Sequence, residues 1–545
     1  MGKKVVCLAA STLLIFSAFP AKSSADEPDI HFDSTVVDSH IDTYMHALDE
    51  TTWLPDTDIG EETPFDFDIP KGQEGGLDVP YMAAYTPGYY ENTPRSISET
   101  LAKINAVYWT EDNNPDDWMV TSSYDDIKQA VTEGQIAAVP TIEGGYSMEE
   151  ENAIELLHQY DDLGVKALGY TWNTSNALGE GADRVYNDPD ETPSDGGLTE
   201  LGEEVTKEMN DLGMMIDVSH MARTTFWDVI EASDDPVIAS HSGTNELLDH
   251  QRNLTDEQME ALADNGGVLG VVFYPVFLTE DSEGYVDDVV DHIDHAVDVM
   301  GIDHVALGSD FDGAAMPEDL QDASELNKIT EELENRDYSD EDIEKILGQN
   351  HLRVLEEVEQ EEETVDTDLN LTPSIEMGGQ VDDNTPVLEA DVEGEAANES
   401  SYRTVVDGIE YEPQFDEETS TVSLEMDEPL KERFHVVTFE AETENGETER
   451  ETTIFYVDAT VDNMQAIVEQ FEDEGEFENE QTVQTLDRHL TAIGHYNDQG
   501  VEEKATQHME SLQDLLDHEH EQALITEHAY SVLTNEADVL IDEWQ

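Results

Sequence analysis

Cysteine is almost missing from this sequence: Cys7 is the only one in 545 residues, so no disulfide framework holds the fold together. Cations are nearly as scarce. Lys and Arg number 22 against 132 Asp and Glu, a formal charge of -110 that excludes a nucleic-acid backbone or an anionic membrane as a partner. Long apolar runs are missing too. Apart from residues 5–19, no stretch approaches the roughly 20 apolar residues that a membrane span needs, so no transmembrane segment is expected in the mature chain.

The acid that is present is spread along the whole chain instead of gathered in one tail. This is the pattern of a surface that stays hydrated in concentrated salt, where a screening length of about 3 Å removes most of the self-repulsion felt in dilute buffer. A halophilic protein whose stability rises with salt is expected. Lys3 and Lys4, the apolar run 5–19 and the small residues ending in Ser23-Ser24-Ala25 read as a secretory signal peptide over residues 1–25. Cys7 lies too close behind the lysines for a lipoprotein anchor. A secreted, extracellular protein follows, with cell-wall association left open.

From residue 34 to 359, short β-rich runs alternate with helical patterns. Strands are expected at 35–37, 77–85, 136–142, 165–170, 214–218, 237–240, 268–273 and 304–308, and eight βα units predict an α/β fold, a (β/α)₈ TIM-like barrel. Ile154, Leu157 and Tyr160 share a helix face, as do Val289, Ile293, Val297 and Met300. An acidic linker is expected at 360–371. Residues 372–458 then alternate as a small β-sandwich of immunoglobulin-like pattern, with a hairpin from Phe434 to Val457 around Asn445-Gly446. Residues 461–545 read as a helical bundle, with Met509, Leu512 and Leu516 at helix spacing.

Asp38-Ser39-His40-Ile41-Asp42 closes the first barrel strand, with His40 and Asp42 on one side. Alone the pair says little, because 18 histidines in so acidic a chain yield roughly four His-x-acid pairs by chance. Its position says more, since active sites of these barrels sit at the C-terminal strand ends. Glu143, His220 and His241 fall at the ends of the third, fifth and sixth strands. Three imidazoles, a terminal carboxylate and a glutamate able to bridge are what a pair of zinc ions needs, whereas His220 and His241 taken singly read as ordinary core histidines. Asp310, in Gly308-Ser309-Asp310-Phe311-Asp312-Gly313, faces the same rim; Asp312 before Gly313 fits an Asx-turn better. Arg252 in so anionic a chain points either to a specific anion or to an internal salt bridge. His31, His46, His158, His292 and His295, and the tail histidines, do not share the strand-end placement.

These segments, with Ile142-Glu143-Gly144, Asp217-Val218-Ser219-His220, Ala239-Ser240-His241-Ser242 and Arg252-Asn253, together resemble the membrane (renal) dipeptidase family over residues 34–359. The resemblance implies a binuclear zinc peptidase acting on a small dipeptide substrate through a water shared by the two ions, with some members opening β-lactams. His40, Asp42 and Glu143 would bind one zinc, and Glu143, His220 and His241 the other. Arg252 would hold the substrate carboxylate, and Asp310 the amino end and the proton. One departure stands out: Thr171-Trp172-Asn173 replaces a Thr-His sequence, so Trp172 takes the place of a substrate-binding histidine. The final segment is similar to the FIMAH-type helical domain of secreted enzymes. A homodimer and a cell-envelope ligand of the C-terminal domains stay open, as do two other readings: a binuclear amidohydrolase of another amide, and a non-catalytic envelope-binding protein.

Overall fold

The computed structural model describes residues 29–88, 94–182, 196–280, 282–359, 369–394, 396, 401–443, 446 and 448–544. The expected signal peptide, residues 360–368 of the expected linker and Asn445 of the hairpin turn lie outside these.

Eight parallel strands form the barrel in chain order: β1 (Val37–Ile41), β2 (Val79–Tyr85), β3 (Ile136–Glu143), β4 (Ala167–Gly169), β5 (Met215–Asp217), β6 (Ile238–Ser242), β7 (Val268–Val271) and β8 (Val305–Leu307). Every residue in them is buried, as expected of a parallel sheet covered on both faces. A parallel bridge between Ile41 and Phe311 closes the ring, helped by the Asp42 amide donating to the Phe311 carbonyl at 2.9 Å. The expected strand count is therefore met. Two details differ from expectation. The first strand starts at Val37, so His40 lies inside it, and a short strand, Trp118–Val120, adds to the start of β3.

One contiguous apolar cluster takes a residue from each barrel strand, including Val37, Val139, Met215, Ile238 and Val268, and so fills the interior below the mouth. Above it the barrel is tight: a Cβ on Gly308 would lie 1.8 Å from the Ser240 carbonyl oxygen, so only glycine fits. The surrounding helices begin where side chains can serve their free amides. Ser123 accepts from Asp126 N, Thr199 from Gly202 N, and Thr255 pairs with Gln258 in a capping box.

Beyond the barrel stand two sheets. One has four strands, in the order Asn370–Pro373, Val387–Glu393, Thr421–Glu425, Gln414–Asp416. The other has five, with the hairpin Phe434–Glu442 and Thr448–Val457 at its heart. The linker expected over 360–371 is thus shorter at its C-terminal end, because Asn370 and Leu371 already pair with Glu393 and Val392. Over residues 434–439 and 453–457 the hairpin strands are buried on both faces. Val437, Phe439 and Phe455 face the sandwich core, while Phe434, Val436, Ile454 and Tyr456 join the core of the barrel. The sandwich is therefore fused to the barrel, not strung beside it. Four helices, Val461–Glu474, Glu480–Asn497, Glu502–Glu521 and Glu527–Glu543, complete the described chain around their own core.

Candidate metal centre

At the mouth the strand ends cease to be apolar. β1 carries His40 and ends just before Asp42, Glu143 is the last residue of β3, and His241 lies in β6; His220 and Asp310 follow β5 and β8. All six side chains are buried. Pairing register slips in β1 between Asp38 and Ile41, and in β6 between Ala239 and Ser242. Irregularities of this kind re-aim side chains, and His40 and His241 meet with ring centroids 3.7 Å apart. His220 and Asp310 arrive by another route: both hold left-handed backbone, at φ 64° and 68°, a conformation costing on the order of 1–3 kcal/mol for a non-glycine residue.

Glu143 stands between two groups. Its Oε1 is 2.9 Å from His220 Nε2 and 3.5 Å from His241 Nε2; its Oε2 is 3.6 Å from His40 Nε2, which lies 3.2 Å from Asp42 Oδ2. The ligand-type atoms of His40, Asp42 and Glu143 lie within 4.8 Å of one another, as do those of Glu143, His220 and His241. The five residues singled out in the sequence thus gather as two triads sharing one carboxylate. Asp217 also comes within this range of His40 and His241. Its oxygens are otherwise engaged: Oδ2 accepts from the Ser240 hydroxyl at 2.5 Å, and Oδ1 from the amides of Ser219 and Ser240.

The protons can be placed from these contacts. Because Ser240 Oγ donates to Asp217, it accepts from His241 Nδ1 at 2.8 Å. Asn173 Oδ1 lies 2.9 Å from His220 Nδ1 and can only accept. Burial first, then the charges of His40 and Arg252, hold His241 well below the usual histidine range; burial and Arg252 push His220 down to about 3. Both rings are therefore neutral, with bare Nε2 lone pairs only 2.8 Å apart and facing Glu143 Oε1. Three acceptors with no proton among them repel each other unless a cation joins them. In the other triad, burial disfavours a charged His40, yet the attraction of Asp42 and Glu143 outweighs it and raises that ring well above its usual value. Asp42 Oδ1 is buried without a hydrogen-bond partner among the described residues, and His40 Nε2 faces only the carboxylates of Asp42 and Glu143. The donor set fits metal ions on both sides of Glu143.

Around the centre lie the remaining predicted residues. Burial and the neighbouring Asp42 carboxylate raise Asp310 well above the usual carboxylate range, favouring its protonated form. A Cβ on Gly313 would sit 2.2 Å from Asp42 Oδ2 and 2.4 Å from Asp310 Oδ1, so this glycine lets the two acids meet. Arg252 is buried, donates to the His241 carbonyl at 3.1 Å, and lies over the Phe277 ring. Trp172 is half-buried, 6.0 Å from the His220 ring and edge-on to Tyr85. Asp312 is used not for the local Asx-turn expected before Gly313 but to staple distant chain, accepting from the amides of Asp66 and Phe67 and from Thr43 Oγ1. The sequence assigns no role to the supporting residues Asn173, Ser240, Asp217 and Tyr146; the one signal for them is a place within three positions of a ligand or next to Trp172.

A TIM-like barrel with imidazole and carboxylate donors gathered at its C-terminal mouth has the form of a metal-dependent hydrolase. Residues 25–368 match the model of the membrane dipeptidase family, peptidase family M19, and residues 461–542 match that of the FIMAH domain. A Klebsiella pneumoniae protein, described as an uncharacterized protein in the pqqA 5'region, is 38% identical over 241 residues, 43% of this chain and 87% of its own length. Among solved structures, the probable dipeptidase PvdM of Pseudomonas aeruginosa aligns at TM-score 0.55 and 25% identity, covering 60% of this chain and 96% of that one. A metallopeptidase of Rhodobacter sphaeroides, solved with a phosphinate mimic of the dipeptide L-Ala-D-Ala, aligns at 0.53 and 27%, covering 60% and 99%. The chain belongs to the membrane dipeptidase family of metallopeptidases, and it ends in a FIMAH domain.

Proposed function

We propose that this protein is a secreted, salt-adapted dipeptidase working with two zinc ions, one held by His40, Asp42 and Glu143, the other by Glu143, His220 and His241. The observation that carries this reading is the Glu143 side chain, whose two oxygens face different histidine groups. Imidazole and carboxylate donors suit zinc, and one shared anion offsets the repulsion between two cations.

Bound zinc would supply Lewis acidity and a water acidified from a pKa of about 15.7 to about 7. The chain's own residues do the rest. Arg252, whose guanidinium donates to the His241 carbonyl, would hold a substrate carboxylate. Asp310, buried beside Asp42, holds a proton that can pass to the leaving amine. With Arg252 on the carboxylate and Asp310 at the scissile amide, only a short peptide fits, with Trp172 as a wall on the His220 side. Secretion rests on the N-terminal sequence pattern, and salt adaptation on the charge of -110.

A dipeptide and amide panel in molar salt tests this reading. Dipeptides should be cleaved, activity should vanish on exhaustive chelation, and zinc should restore it. Activity that survives exhaustive chelation contradicts the metal mechanism, and faster turnover of a β-lactam or another amide would move the substrate assignment.

A further inference from the structure

We infer that Asn173 is a positioning residue for His220, fixing the imidazole in the tautomer that turns its Nε2 toward Glu143 and His241. The inference rests on the reading that this group holds a metal ion. It concerns the support of that ion, not its existence.

The two histidines of this triad are held in different ways. His241 leans on a carboxylate through a serine, since its Nδ1 meets Ser240 Oγ at 2.8 Å and Ser240 donates to Asp217 at 2.5 Å. His220 leans on a neutral amide, Asn173 Oδ1, at 2.9 Å, in a buried setting. An imidazole whose Nδ1 proton is held must offer Nε2 as a lone pair, and outer partners of this kind orient metal-binding histidines. An amide does this without adding negative charge beside Glu143.

Asn173 is itself held firmly. Tyr146 Oη accepts from the Trp172 amide at 3.1 Å and from Thr174 Oγ1 at 2.9 Å, and donates to the Thr174 carbonyl at 2.5 Å. The residues on both sides of Asn173 are thereby clamped. Tyr146 follows Glu143 by three positions, so one phenol ties the loop after the bridging carboxylate to the loop that supports His220. Trp172, which stands where the Thr-His pattern has its histidine, and Asn173 after it then have a structural reading: the indole packs beside His220 while the amide aims it.

The test is stepwise removal of cobalt(II) from the full-length protein with a graded chelator, followed by absorption, so that the two ions are resolved. Asn173→Ala should weaken one step by about 10–100-fold and leave the other unchanged. Asn173→Asp, which keeps an acceptor at the same place, should restore most of the loss, and the chelated variants should melt with the wild type. Tyr146→Phe, which leaves the amide in place, should weaken the same single step by a smaller factor and keeps the question open should Asn173→Ala not fold. Two steps in Asn173→Ala that coincide with those of the wild type would overturn the inference, as would an Asp variant as weak as the Ala variant. A wild-type protein that takes up no divalent ion would overturn the underlying metal reading instead.

Discussion

Among the described residues, one cluster of buried charge lies at the barrel mouth and another where barrel, sandwich and helical bundle meet. At the junction, Arg433 is 1% exposed, yet its guanidinium donates to the carbonyls of Thr51 in the barrel at 2.7 Å and Asn535 in the bundle at 3.0 Å, and faces Glu536 at 3.5 Å. There a cationic donor meets acceptors, although Arg433 Nε has no hydrogen-bond partner among the described residues. At the mouth, bare acceptors face one another across 2.8 to 3.5 Å, and Asp42 Oδ1 is buried without a hydrogen-bond partner among the described residues. Burying charge is costly in both places. Only the mouth sets acceptor against acceptor, and this separates a binding centre from a staple better than burial or charge alone.

The comparison breaks if changes at the two clusters have the same consequence. Glu143→Gln should give the largest effect, lowering dipeptide turnover by on the order of 10³-fold or more, the scale on which groups stabilising a hydrolytic transition state act. The variant should still unfold cooperatively. Steady-state kinetics beside a thermal melt checks both. Arg433→Met should do the reverse, since it leaves two carbonyls and the Glu536 carboxylate buried without their donor; a loss of roughly 3–5 kcal/mol in denaturant unfolding is expected, with turnover per folded molecule unchanged.

A smaller effect comes from Glu432, beside Arg433. Burial outweighs the attraction of Arg95 and Arg433 and pushes this carboxyl from its usual 4.5 up to about 7. The folded protein then holds the proton more tightly than the unfolded chain does. The contribution of Glu432 to stability is full below about pH 4.5, declines as pH rises toward about 7, and is level above that. Glu432→Gln removes the decline, so its melting temperature should exceed that of the wild type by more under mildly alkaline than under mildly acidic conditions. Parallel melting curves across that range would contradict the assignment.

Much of the centre could be read from the chain because barrel sites obey a positional rule. His40, Asp42, Glu143, His220 and His241 were found by asking which acids and imidazoles fall at strand ends, and the structure gathers all five. Their fine aim was not legible. The register slips at His40 and His241 and the left-handed backbone at His220 depend on neighbouring strands and loops that no local pattern specifies. Nothing local marks Asn173, because its contact with His220 is a single hydrogen bond across 47 residues. The sandwich shows the converse. Phe434-His435-Val436-Val437-Thr438-Phe439 is apolar on both parities, and that lack of alternation already marks a strand covered on both faces. It was read as one strand of a hairpin because what covers its second face, the barrel, is distant in sequence.

The central claim is that Glu143 joins two cation sites. Crystals of the full-length protein grown with zinc, measured on either side of the zinc absorption edge, test it directly. Two anomalous peaks are predicted, each about 2.0–2.2 Å from a different oxygen of Glu143, one beside His40 and Asp42 and the other beside His220 and His241. A single peak, or peaks that leave one Glu143 oxygen without a metal, would contradict it.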